Sequence, residues 1–184
     1  TAPPDYATDG MVQSAFVDQI GQLFSTLTAS KEGSLRLTGT REAGDYGWCM
    51  EVGASFRGVA IAIYPSGGED LLIMRSGDGV SLVTTSEAAV TITAAPVGDY
   101  VLEMSWSATS GRVACYVNGG RVDLISGLSA EYAVTGSEVG ILGGQYGLDI
   151  VLPPEVSALP ADQYPGTIGG LAIFLNQLTS DVAL

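Results

Sequence analysis

Carboxylates are the main acid–base groups of this chain: 20 Asp and Glu stand among 184 residues that include no histidine. Without imidazole, Ser-His-Asp and Cys-His nucleophile activation, His-ligated zinc and His proton shuttling are all closed. Glycoside hydrolysis is a reaction that carboxylates can run alone. Its retaining form needs two carboxyl groups about 5 Å apart, one of them raised in pKa. No strand-like stretch offers that spacing: Glu51, Glu87 and Glu103 are isolated, and Glu69-Asp70 falls in a turn. Calcium is held by clustered Asp, Asn and backbone oxygens, whereas Asp78, Asp99, Asp149 and Asp162 are scattered. The expectation is a non-enzymatic protein with no resident cofactor. Calcium stays open as a ligand, with no assignable site.

The remaining reactive types read as packing. Cys49 and Cys115 match no metal or redox spacing and are expected to be buried free thiols. Gly143-Gly144 is followed by no Lys-Ser/Thr, so it is a turn and not a phosphate loop. Trp48 and Trp106 sit inside strand patterns and are expected in the core. Lys and Arg number 7, giving a net charge of −13. Such a surface repels phosphate backbones and anionic lipid, so neither nucleic acid nor membrane is an expected partner. No apolar run approaches the ~20 residues of a membrane span, and the opening TAPPDY carries no signal-peptide features.

Two apolar segments could contact something else. Val12, Phe16, Ile20, Leu23 and Leu27 recur at steps of four, four, three and four, which is one face of a helix. Residues 1–30 are therefore read as a helical arm with this face as a partner-binding stripe; the alternative is a helix laid on its own domain. The second segment, residues 144–166, is long for a loop, apolar, and stiffened by Pro153, Pro154, Pro160 and Pro165. Tyr146, Asp149, Leu152, Pro153, Pro154, Asp162 and Tyr164 are its candidate contacts, for a protein partner or a glycan. A loop folded back over its own domain is the competing reading.

From Lys31 onward the chain reads as short alternating β runs separated by Gly-rich turns. Val59, Ile61 and Ile63 alternate with smaller or polar residues, and Leu102, Met104 and Trp106 do the same. Gly77-Asp78-Gly79 ahead of Val80–Thr84 signals a hairpin. About ten such runs without helical crossovers predict one all-β, antiparallel sandwich over residues 31–184.

The stretch VLEMSWSATSGRVACYVNGGRV, residues 101–122, is the most specific in the chain. Its strand, polar hairpin, second strand and Tyr-Val-Asn-Gly-Gly turn resemble the core hairpin of the concanavalin A-like, laminin-G-like jelly-roll superfamily. Residues 166–184 resemble that superfamily's terminal strand and short closing helical turn, with Gly169-Gly170 where an acidic pair is common. The resemblance implies a jelly-roll sandwich and no particular activity. Domains of this kind appended to bacteriophage particles imply a structural or assembly module on a virion surface, or an extracellular location, with other subunits as partners and a homo-oligomeric state. The alternative is a carbohydrate-binding, lectin-like module that contacts surface glycans.

Overall fold

The computed structural model describes residues 32–52, 59–76, 90–127, 139–141, 154–159, 164–175 and 179–183. The N-terminal stripe Val12, Phe16, Ile20, Leu23 and Leu27 lies outside these residues, as does the expected strand at 80–84.

Among the described residues ten strands run β1 (Glu32–Arg41), β2 (Gly47–Val52), β3 (Val59–Ser66), β4 (Glu69–Ser76), β5 (Val90–Ala94), β6 (Gly98–Ser107), β7 (Arg112–Val117), β8 (Gly120–Ile125), β9 (Val139–Ile141) and β10 (Thr167–Leu175). They form two five-stranded sheets, β10-β1-β6-β7-β8 and β5-β4-β3-β2-β9. All the pairings are antiparallel. The expected sandwich is the observed one.

Alternation decides which side chains lie between the sheets. Tyr100, Leu102, Met104 and Trp106 of β6 face inward beside Leu35 and Leu37 of β1. Against them stand Cys49 and Met50 of β2, Val59, Ile61 and Ile63 of β3, and Leu72 and Met74 of β4. The two bulkiest inward rings of β6 oppose glycines: Trp106 pairs with Gly33 and Tyr100 with Gly39. A Cβ at Gly33 would stand 2.8 Å from the Trp106 ring, so β1 can lie this close only without a side chain there. Cys49 and Cys115 are buried and unbridged, as expected. Burial pushes the Cys49 thiol up to about 12, which leaves it protonated and inert.

A register shift between Trp48 and Met50 makes β2 bulge. Cys49 and Met50 both enter the core, while Trp48 turns to the outer face of the second sheet. There it joins Ala60, Ala62, Tyr64 and Ile73 in a second apolar cluster. The cover over that cluster is a helical turn, α1 (Pro154–Ser157), with proline at its first position as helix starts favour. Val156 is fully buried against the cluster, and Leu159 packs alongside. This part of the 144–166 segment therefore folds back onto its own domain, where the sequence favoured contact with a neighbour. The physical reason is that Val156 and Leu159 find an apolar face at home.

The expected closing turn is present as α2 (Ser180–Ala183). It is pinned to the outer face of the first sheet. The Tyr116 hydroxyl lies 2.7 Å from Thr179 Oγ1 and 2.8 Å from Asp181 Oδ2, and Arg121 Nη1 pairs with Asp181 at 2.9 Å. Ser110 Oγ donates to the Val182 carbonyl at 2.6 Å.

Candidate functional site

One end of the sandwich gathers the β1–β2 connection, the β3–β4 and β7–β8 turns, the β5–β6 connection and the segment leading into β10. What orders this end is a buried arginine. Arg41 is the last residue of β1 and is 1% exposed. Its Nε donates to the Pro96 carbonyl (2.7 Å), Nη1 to the Asp45 carbonyl (2.8 Å) and Nη2 to Asp70 Oδ2 (2.9 Å). Asp70 also accepts the Gly44 N–H at 3.0 Å and the Tyr46 hydroxyl at 2.9 Å. The Gly44 N–H, then Tyr46 and Arg41, hold the Asp70 carboxyl below its ordinary range, while the bond to Asp70 raises the Tyr46 phenol. A carboxylate so satisfied is no general acid. Its task is positional: together with Arg41 it ties the β1–β2 connection, β4 and the β5–β6 connection to one another.

Beside this knot a cleft of about 440 Å³ is lined by Thr40, Glu42, Gly44, Asp45, Tyr46, Tyr164, Gly166 and Thr167. The Glu42 N–H donates to Asp45 Oδ2 at 3.1 Å, which closes the β1–β2 turn. Gly166 has φ +91°, and a Cβ there would lie 2.2 Å from the Thr40 carbonyl oxygen. Only glycine lets the two walls approach so closely. Thr40 also borders a shallower groove of about 330 Å³, formed with Thr38, Gly39, Asp99, Tyr100, Val101, Asn118 and Gly169. Within it Thr40 Oγ1 donates to Asp99 Oδ1 at 2.6 Å. At its rim Asn118, in the left-handed conformation at φ 51°, accepts the Val101 N–H on its side-chain oxygen at 2.8 Å.

Of the contacts expected in the 144–166 segment, Tyr146, Asp149, Leu152, Pro153 and Asp162 lie outside the described residues. Pro154 is exposed on α1. Tyr164 corrects its expectation: it is 3% exposed, with its hydroxyl against that of Tyr100 under the cleft. Desolvation raises both phenols. Tyr164 is a core residue that floors the site, because its ring fills the space at the open end of the sheets. The cleft carboxylates Glu42 and Asp45 were not singled out from sequence. The signal was there in Arg-Glu-Ala-Gly-Asp-Tyr-Gly, a turn with two acids and an aromatic between two alternating strands.

Among the described residues no three acids or thiols converge as metal ligands, and no helix is long and apolar enough to cross a membrane. Glu103, isolated in the sequence, is taken by Arg36, whose Nε and Nη2 lie 2.9 and 2.8 Å from Oε2.

Sequence comparison matches the chain to no family model and to no curated protein. Solved structures do resemble it. The CBM40 domain of a Ruminococcus gnavus IT-sialidase, bound to α2,3-sialyllactose, is 11% identical with a TM-score of 0.57, covering 98% of this chain and 93% of that one. A heptameric SAP-like pentraxin from Limulus polyphemus is 12% identical with a TM-score of 0.50, over 78% of this chain and 64% of its own. A leech intramolecular trans-sialidase complexed with 2,7-anhydro-Neu5Ac is 13% identical with a TM-score of 0.54; this chain matches 26% of it. At these identities the likeness is one of fold: the chain is a jelly-roll β-sandwich of the concanavalin A-like kind.

Proposed function

We propose that the chain is a non-catalytic, lectin-like module that binds glycans in the cleft beside the Arg41–Asp70 knot. The observation that carries this is the lining of the cleft: Glu42 and Asp45 offer carboxylate oxygens, Thr40 and Thr167 hydroxyls, and Tyr46 aromatic surface. Carboxylates only accept, and sugar hydroxyls donate. Rings give apolar sugar faces a surface to rest on. One of the structures of like fold, matched over 93% of its length, is a carbohydrate-binding module bound to α2,3-sialyllactose, which is consistent with this use of the scaffold. An extracellular location and a homo-oligomer complete the proposal, because a shallow site gains avidity when several are linked.

The virion-assembly reading rested on two segments. Residues 1–30 lie outside the described structure, and the described part of residues 144–166 covers the domain's own sheet, so the glycan reading stands ahead of it.

A glycan array probed with and without calcium tests the proposal. Saturable binding that falls at least about tenfold in Asp45→Asn, which keeps an acceptor for the Glu42 N–H, is the expected result. No saturable binding in either condition overturns it.

A further inference from the structure

Four of the described arginines have acceptors: Arg36 on Glu103, Arg41 on Asp70, Arg121 on Asp181, and Arg112 on the Asp181 carbonyl at 3.2 Å. Arg75 of β4 is different. Its Nε and Nη1 are buried and make no hydrogen bond. Desolvation alone lowers its pKa. Among the described residues no acidic side chain is paired with this guanidinium. Buried charges are ordinarily paired, so an orphan asks what it is kept for.

The register places it. Leu72 and Met74 face the core and Ile73 the outer cluster, so Arg75 shares the outer face of the second sheet with Ile73 and pairs across to Ala60. Trp48 lies on the same face, 1% exposed, and its Nε1–H is also unpartnered. Between β2 and β4, strand β3 contributes only the methyl groups of Ala60 and Ala62 at these rows. Guanidinium and indole are both pure donors. Arg75 and Trp48 thus bring unsatisfied donors to this face, beside the Tyr64 hydroxyl and with Glu51 in the row of Arg75 across Ala60, and Arg75 itself is only partly buried, so it can be approached from solvent.

We infer that Arg75 anchors an anion-recognition position on the outer face of the second sheet, and that its ligand is a small, singly charged carboxylate. A carboxylate supplies the acceptor oxygens that a guanidinium fits. The charge of −13 argues against a polyanion, whose further charges would meet repulsion over a screening length of about 8 Å. This inference does not depend on the cleft reading, since no cleft residue takes part.

Nitrogen–proton correlation spectra of the whole chain, titrated with glucuronate and in parallel with glucose and inorganic phosphate, test it. Glucuronate is expected to move the Arg75 Nε–H and Trp48 indole signals in a saturable way, while the Trp106 indole, enclosed between the sheets, stays still. Arg75→Gln is expected to weaken the response about tenfold or more, and Arg75→Lys to keep part of it. Asp45→Asn should leave it unchanged. An Arg75 signal unmoved by glucuronate, moved equally by glucose, or moved more by phosphate overturns the assignment. So does a glucuronate response that survives intact in Arg75→Gln.

Discussion

Replacing Asp70 by alanine should remove three hydrogen bonds at once and strand the Arg41 guanidinium, whose side chain is fully buried while that of Asp70 is 19% exposed. The charged bond to Arg41 is worth about 1.5–3 kcal/mol, and the bonds from Gly44 and Tyr46 about 0.5–1.5 kcal/mol each. Arg41 keeps the carbonyls of Pro96 and Asp45, which places the total near the low end of the ~3–5 kcal/mol expected for breaking a buried pair. A loss of about 3 kcal/mol is a large share of the ~5–15 kcal/mol that holds a domain together. With a urea slope of about 2 kcal/mol/M the unfolding midpoint should drop by about 1.5 M. The exposed Arg36–Glu103 pair is the control, and Glu103→Gln should cost under about 1 kcal/mol. The same carboxylate sets an acid limb. Because its folded pKa lies below the ordinary 3.8, the unfolded chain binds the proton first; the stabilisation is complete above 3.8 and fades as pH falls through the lowered folded value. Asp70→Asn should flatten that limb. If Asp70→Ala loses no more than Glu103→Gln, or leaves the acid limb as steep as before, the knot does not organise this end of the sandwich.

Two further outcomes follow from packing. Val156→Ala should lower stability by about 2 kcal/mol, read from urea unfolding of the dilute chain, because the side chain fills the outer cluster of its own domain; an unchanged midpoint would return α1 to the role of a docking element. Gly166→Ala forces a Cβ onto the Thr40 carbonyl at positive φ. It should cost about 2–4 kcal/mol and disturb the amide signals of Thr40 and Thr167, whereas undisturbed signals would contradict the close approach of the cleft walls.

The sheets were legible because their information is local. Leu102, Met104 and Trp106 alternate within one strand, and Asn118-Gly119 marks the turn between β7 and β8 wherever the chain goes next. Partnerships across the sheets were not, since nothing near Glu103 announces Arg36, 67 residues away. The matching of Gly33 to Trp106 and Gly39 to Tyr100 depends on register, which no single strand records. Arg41 reads as a solvated strand end, and its burial follows only from three acceptors brought from separate segments. Tyr164 failed for a related reason: a tyrosine between prolines looks like surface until Tyr100 is seen to meet it. Trp48 was rightly expected to be packed, but the bulge that sends it to the outer face leaves no mark that alternation detects.

Because the guanidinium of Arg41 fastens the carbonyl of Asp45 and the Pro96 carbonyl in place, the turn bearing Glu42 and Asp45 already has its shape before anything arrives. For the glycan docking proposed above, little conformational freedom would then be forfeited, so even a handful of contacts could yield a measurable affinity. For the glycan binding proposed above, the same anchoring would separate upkeep from recognition: the exposed positions Glu42 and Ala43 could change from one descendant to another and retune what is held, while the framework beneath them stays as it is.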